Sequence, residues 1–427
     1  MASNVSVVVE LGLVPTTGAF ILGTSLLGGA DVLTTGYNWT NITAYVDQSS
    51  LSWSHGATRS QGPWFRYEAG RCSFTLDDND GGRFSPLNTT GPYALAGVSQ
   101  LRPGIPVRVR VPWNDGATLS DYVAFTGWID AWQPSNTGDR WSKVSVTATD
   151  GVERLQSANL PALATAVGAG DTAGARINRI LDNVGWSTVN RNIDVTGTTT
   201  MQATTMAPSA WEEMLLTADS AAGFLFLSDD GKVTYRERSS ISSSSVFTFD
   251  GLGVDAVDEQ VSLSYDRQQV INQVCLARAG GTAQYVEDAT SSADAQNGMR
   301  TYSRSDLICE TDAQVQEIAQ YLLFYFATLC YRVDQITLPL LTGSDTTFDN
   351  QWVHATWQTL TDRVRVNLPQ PNSQTVNQQG LIRGISWQMG EAGTATVTVS
   401  LQQTPTASDP FTLGVSLLGG AQVLAPF

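Results

Sequence analysis

The sequence predicts a mainly β chain with an α+β insertion. Two barrel- or sandwich-like β domains flank a middle module that mixes helices and strands. Three observations carry this. Cys72, Phe74 and Leu76, then Val107, Val109 and Val111, then Val144, Val146 and Ala148 alternate with polar residues, the period of a half-buried strand. After Gly151 the period changes: Ile177, Ile180, Leu181 and Val184, then Trp211, Met214, Leu215 and Ala218, fall at helical spacing. From about Gly251 the strand pattern returns, clearest over 331–340, 384–389 and 396–401.

In chain order, Val5, Val7, Val8 and Val9 lead into Glu10 as a first strand. Asp78-Asn79-Asp80-Gly81-Gly82 reads as a tight turn, because these residues tolerate positive φ. Arg108 and Arg110 give the strand over 107–111 one basic face. Asp171 is placed to cap the first helix, with Gly185 as its stop; Pro208 opens a second helix and Gly223 ends it. Residues 224–227 and 233–235 form a hairpin about Asp229-Asp230-Gly231, and the serine run 239–245 is a linker. Thr311 caps a long helix over 311–329 whose Val315, Ile318, Leu322 and Phe326 share one face, with Asp312 and Glu317 near its positive end. The expected division is an N-terminal strand and arm, 1–35; a β domain, 36–150; an α+β module, 151–250; a second β domain with a flanking helix, 251–408; and a C-terminal arm, 409–427.

Composition bounds the function. The chain of 427 residues has room for two to four domains. A net charge of −16 argues against a nucleic-acid binder, which needs clustered Lys and Arg. Residues 1–58 hold no Lys or Arg, so a signal peptide's positive segment is missing, and the apolar run 322–329 is too short to span a bilayer. Cys72, Cys275, Cys309 and Cys330 form no C-x-x-C pair and fit reduced thiols. His55 and His354 sit in no catalytic or metal spacing, and no G-x-S-x-G elbow accompanies them. The acidic turn at Asp77, Asp78 and Asp80 lacks a calcium loop's acidic twelfth position, which counted from Asp78 is Thr89. Trp39, Trp53, Trp64, Trp128 and Trp132 could stack on sugars but are more simply strand-face core or subunit contact. No catalytic, cofactor or metal residue is assigned.

An internal repeat frames the chain. Residues 20–33 read FILGTSLLGGADVL and residues 411–424 read FTLGVSLLGGAQVL, identical at eleven of fourteen positions. Phe20, Leu22, Leu26, Leu27 and Leu33, with Phe411, Leu413, Leu417, Leu418 and Leu424, are too many hydrophobes for a free tail. They are the candidate assembly contacts, and Gly28, Gly29, Gly419 and Gly420 mark the bend of each arm. The alternative is a duplicated strand that closes each domain.

The stretches DNDGGRFSPLNTTGPY (78–93), LRPGIPVRVRV (101–111), AFTGWIDAW (124–132) and WSKVSVTATDG (141–151) resemble the first tube-forming domain of minor tail proteins from long-tailed actinobacterial phages. Those belong to the wider family of baseplate or tail-tip hub proteins. ITLPLL (336–341), DRVRVNLP (362–369) and LIRGISWQMGEAGTATVTVSLQ (381–402) are similar to that family's second tube domain.

The resemblance implies a non-enzymatic virion protein with two tail-tube-like domains, made in the bacterial cytoplasm and placed at the tail tip. It implies a homotrimer whose six tube domains continue a six-fold tail tube. The implied partners are the distal tail or tail tube ring above, and tip or fibre proteins below. Genomic DNA would pass without specific binding, and the host surface would be met only indirectly. A hexameric distal tail protein, a carbohydrate-binding adsorption protein and a tail-associated hydrolase are the alternatives. The acidic surplus fits a neutral or negative lumen; a ring of arginines such as Arg108 and Arg110 on its wall would contradict that.

Overall fold

In the computed structural model the described residues are 7–14, 37–57, 63, 66–78, 82–114, 119–136, 142–161, 165–206, 209–241, 245–250, 261–267, 270–294, 298–329, 331–340, 355–356, 358–370 and 375–404. The apolar–polar alternation read from the sequence builds the first sheet from β1 (Val8–Leu13), β2 (Asn38–Asn41), β3 (Val46–Gly56), β4 (Glu68–Asp78), the short hairpin β5 (Ala94–Leu95) and β6 (Val98–Ser99), β7 (Pro106–Asn114), β8 (Leu119–Asn136) and β9 (Ser142–Thr149). Phe74 and Leu76 of β4, Val107, Val109 and Val111 of β7, and Val144 and Val146 of β9 all turn into one core. Excluding the short hairpin, the order is β3-β4-β9-β8-β7-β1-β2, antiparallel throughout.

The middle of the chain holds α1 (Gly151–Ser157), β10 (Asp171–Thr172), α2 (Ala173–Asn183), β11 (Arg191–Ile193), β12 (Thr200–Met201), α3 (Ala210–Ser220), β13 (Phe224–Leu227) and β14 (Val233–Arg236). Ile177, Ile180 and Leu181 are buried as their spacing predicts. The cap differs: Thr172, not Asp171, accepts from the Ala175 N–H. Asp171 is instead held by Arg179, at 2.8 and 2.9 Å, where two guanidinium bonds outweigh one cap bond. The second helix is capped by Ser209 and turns out through Ala221 and Ala222, the latter at φ +52, before Gly223.

The second half contains β15 (Phe247–Asp250), β16 (Val261–Ser264), β17 (Gln273–Arg278), β18 (Gln284–Glu287), α4 (Ala289–Ala293), β19 (Thr301–Leu307), α5 (Asp312–Phe326), β20 (Arg332–Leu340), β21 (Arg363–Pro369), β22 (Thr375–Met389) and β23 (Ala395–Gln403). Thr311 caps α5, its hydroxyl accepting from Gln314 N–H at 3.3 Å, and Val315, Ile318 and Leu322 are buried as expected. They pack on the separate sheet β18-β17-β19, whose core is its own. Phe247–Asp250 pairs with β21, so it belongs to the second large sheet and not to the middle module.

That second sheet runs β16-β20-β23-β22-β21-β15. It repeats β3-β4-β9-β8-β7-β1 strand for strand. The registers agree around the matching glycines, although β7–β8 shifts between Val109 and Arg110 where β21–β22 does not. Val107 opposes Gly127 as Val364 opposes Gly380, and a bulge follows both Ile129 and Ile382. The two arginine-bearing strands therefore superimpose as PVRVRVP (106–112) on RVRVNLP (363–369). One difference is that β15 pairs parallel to β21, whereas β1 pairs antiparallel to β7. The chain is thus mainly β, with two β domains of like strand order and an α+β module between them.

Candidate assembly joint and polar sheet face

The two large sheets are one. β3 pairs antiparallel with β22, matching Gly56 to Gly384, His55 to Ile385, Ser54 to Ser386, Trp53 to Trp387 and Ser52 to Gln388, so thirteen strands are continuous. Trp53 and Trp387 stack with ring centroids 5.2 Å apart, 13° from parallel, and both are buried. The backbone crosses closely at the end of this ladder. Gly56 has φ +116, and a Cβ there would lie 2.3 Å from the Arg383 carbonyl oxygen. That oxygen accepts from the Ala57 N–H at 2.7 Å. Only glycine meets both demands.

His55 brings the middle module to the joint. Its Nε2 lies 2.7 Å from Asp229 Oδ1, in the turn of the β13–β14 hairpin. Burial by itself pushes the His55 pKa down; the charges of Asp229 and Asp150 outweigh it and leave the imidazole above its ordinary value. Asp150 caps α1, accepting from Val152 N–H at 2.9 Å and from Gly70 N–H at 2.8 Å. Burial raises its carboxyl to about 6.

The face opposite the core is concave and polar. A hollow of about 700 Å³ crosses the joint, lined by Ser52, Ser54, Ser73, Thr147, Thr149 and Ser386 among others. Its charged members are Arg71 and Asp130, and Asp130 accepts from Thr149 Oγ1 at 3.0 Å. Further along the same strands, Lys143 lies 3.7 Å from Asp47 and 3.6 Å from Asp77.

Arg108 and Arg110 alternate with the buried valines of β7, so they share the non-core face, but neither is an open cation. Arg108 Nε donates to Glu10 Oε2 at 2.5 Å, Arg110 donates to both Glu10 oxygens, and Arg110 Nη1 also donates to Asp121. Burial would raise the Glu10 carboxyl, yet the two guanidiniums hold it below its ordinary value. This arrangement has the chemistry of a strand-pairing joint beside a hydroxyl-rich wall, with Arg108 and Arg110 already paired to carboxylates.

The predicted arm residues Phe20, Leu22, Leu26, Leu27, Leu33, Phe411, Leu413, Leu417, Leu418 and Leu424, with Gly28, Gly29, Gly419 and Gly420, lie outside the described residues, as do His354, Cys330 and Trp64. The carboxylate of Asp78 accepts from the N–H groups of Arg83 and Phe84, at 2.9 and 3.3 Å, so it serves its own turn. Cys72 and Cys309 are buried free thiols; burial pushes the Cys309 thiol up to about 12. Trp53 and Trp132 are core, and Trp128 packs edge-on to Trp186 with Arg154 over its ring. Sequence reasoning missed the joint and His55's place in it. The signal was present in GWIDA (127–131) against GLIRG (380–384), which share a glycine, an isoleucine and the bulge after it.

No protein-family model matches the chain. No curated protein matches it. Solved structures do. A tail protein from Neisseria meningitidis MC58 aligns with a TM-score of 0.55 at 12% identity, covering 95% of this chain and 97% of that one. The 43 kDa tail protein of prophage MuSo2 from Shewanella oneidensis aligns with a TM-score of 0.53 at 13% identity, covering 93% and 98%. Over nearly its whole length, the chain has the fold of these two tail proteins.

Proposed function

We propose that the chain is a structural, non-catalytic protein of a phage tail, the hub at the tail tip, where three copies form a ring with pseudo-six-fold symmetry that continues the tail tube. One observation carries the reading: the same strand order occurs twice in one chain, and the two copies are joined edge to edge. An object that joins two like units side by side extends naturally into a ring of such units. Three chains supply six, which lets a three-fold hub sit on a six-fold tube.

The concave face lines the conduit in this reading. Hydroxyl groups and neutralised charges offer phosphate little to hold, so genomic DNA passes without specific binding. The partners are further copies of the chain, the distal tail or tube ring above, and tip or fibre proteins below; the arms at 20–33 and 411–424 dock on them. The ring is tested by the mass of the tip complex released intact from tails. A complex with three copies supports it; six copies, as in a hexameric distal tail ring, would reject it.

A further inference from the structure

The intrachain joint has a counterpart that one chain cannot make. β3 is the edge of the first sheet and docks on β22 beyond the end of β21. In the second sheet the strand in β3's place is β16, and among the described residues nothing pairs with its outer edge. In the first sheet the strand in β22's place is β8. Beyond the end of β7 its residues 131–136 are paired only with β9 among the described residues. One chain therefore presents one unused donor edge and one unused acceptor edge.

The registers say how they fit. Ala131 stands where Gly384 stands, directly after the matching bulge, so Ser135 stands where Gln388 does. Ser262 opposes Gln335 of β20 as Ser52 opposes Ser73 of β4, so Ser262 stands where Ser52 does. Because Ser52 pairs with Gln388, Ser262 falls opposite Ser135. The local sequences agree: LSWSH (51–55) matches VSLSY (261–265).

Exposure agrees as well. Trp53 is 2% exposed because the joint covers it, whereas Leu263 and Tyr265, in the corresponding stretch of β16, are 36% and 56% exposed. We infer that β16 of one chain adds as an antiparallel strand to residues 131–136 of a second copy, with Ser262 opposite Ser135, repeating between chains the joint made within each. This rests on the ring reading above and adds to it the strand pair and its register.

The two joints are not equal. Pro134 takes the place of Trp387 and supplies no N–H, Asp266 takes that of Gly56, and the β16 pairing slips between Ser262 and Leu263. The contact between copies is accordingly shorter and lacks the stacked tryptophans. The ring opens between chains and not within one.

The test is disulfide trapping in the full chain at the highest concentration it tolerates. The double variant Ser135→Cys/Ser262→Cys, mildly oxidised, is expected to give covalently closed trimers, about tenfold more than the offset pair Gln133→Cys/Ser262→Cys, because a slipped register breaks the pairing. Leu263→Lys, at an exposed position, is expected to leave thermal unfolding unchanged and to raise the concentration needed for assembly at least about tenfold. Three-copy complexes that fail to cross-link, or that cross-link equally through the offset pair, would overturn the strand pairing and leave the ring standing. Monomers at every concentration, or six-copy rings, would overturn both.

Discussion

Gly104 and Thr361 occupy the same place in the two halves of the chain. Gly104 has φ +90 and donates its N–H to the Ile129 carbonyl at 2.7 Å; Thr361 has φ +74 and donates to the Ile382 carbonyl at 2.9 Å. Both residues enter the arginine-bearing strand just before the bulge. A β-branched residue in the left-handed region is strained, and that Thr361 adopts it shows how firmly the surrounding pairing dictates the backbone. Introducing Thr at position 104 is expected to cost about 1–2 kcal/mol. Thr361→Gly should change stability by less than about 1 kcal/mol, because relieved strain is offset by a more flexible unfolded chain. Denaturant unfolding of both variants measures the contrast.

The stacked pair at the joint should dominate the coupling of the two sheets. Trp387→Ala is expected to cost about 3–5 kcal/mol. Combined with Trp53→Ala, it should show a coupling of about 0.5–1.5 kcal/mol beyond simple addition. A double-mutant cycle by urea unfolding gives both numbers, and strict additivity would mean that the rings do not act together.

Stability should decline with rising pH through two groups at the joint. The folded Asp150 carboxyl titrates at about 6 against a reference of 3.8, so the folded chain holds this proton more tightly. Stability from it is complete below about pH 4 and is lost by about pH 6, on the order of 3 kcal/mol. The raised pKa of His55 acts in the same direction, with stability present below its reference value of 6.5 and lost as pH rises through its folded value. Asp150→Asn keeps the bond from Val152 N–H, gives up the one from Gly70 N–H, and should flatten the lower leg at a lower overall stability. His55→Gln should flatten the upper one. Melting temperatures across this pH range resolve the two legs.

The hydroxyl-rich face should be intolerant of added cations in function but not in folding. Ser54, Ser386 and Thr398 lie on the open hollow, so single Arg substitutions there should leave the melting temperature unchanged. In assembled particles they should slow DNA release, most at low salt, where phosphate binding is strongest. Release rates equal to the parent's at all salt concentrations would remove the face from the conduit.

The arms make a separate prediction. Deleting residues 411–427 should leave the circular dichroism and melting of the chain unchanged while lowering the yield of complete tails. Each large apolar side chain docked contributes roughly 1.5–3 kcal/mol, so loss of several is a large assembly defect. Normal tail yield would favour the strand-closing alternative.

Much of this architecture was legible in the sequence, for reasons that particular residues make clear. Strands such as 72–76 and 107–111 have one buried face, so their alternation survives into the structure. The helix after Thr311 announced itself by cap and stripe together. Asp171 misled because two carboxylate partners, an orphan helix N–H and a guanidinium, are equally satisfied by it, and sequence does not rank them. The joint was hidden because Trp53 and Trp387 are 334 positions apart and both read as ordinary core. His55 stayed hidden for the same reason: Asp229 is a turn residue on a different module, and only the folded chain brings the two together.

The most direct test of the central claim is a three-dimensional reconstruction of the tail end, made without imposing six-fold symmetry. The account predicts three chains around the axis, giving six sheets of like strand order, with Ser54, Thr147 and Ser386 facing the channel and the Trp53–Trp387 joint alternating with the β16 contact between chains. A six-fold ring with one such sheet per chain, or a ring with the hydroxyl-lined face turned outward, would contradict it.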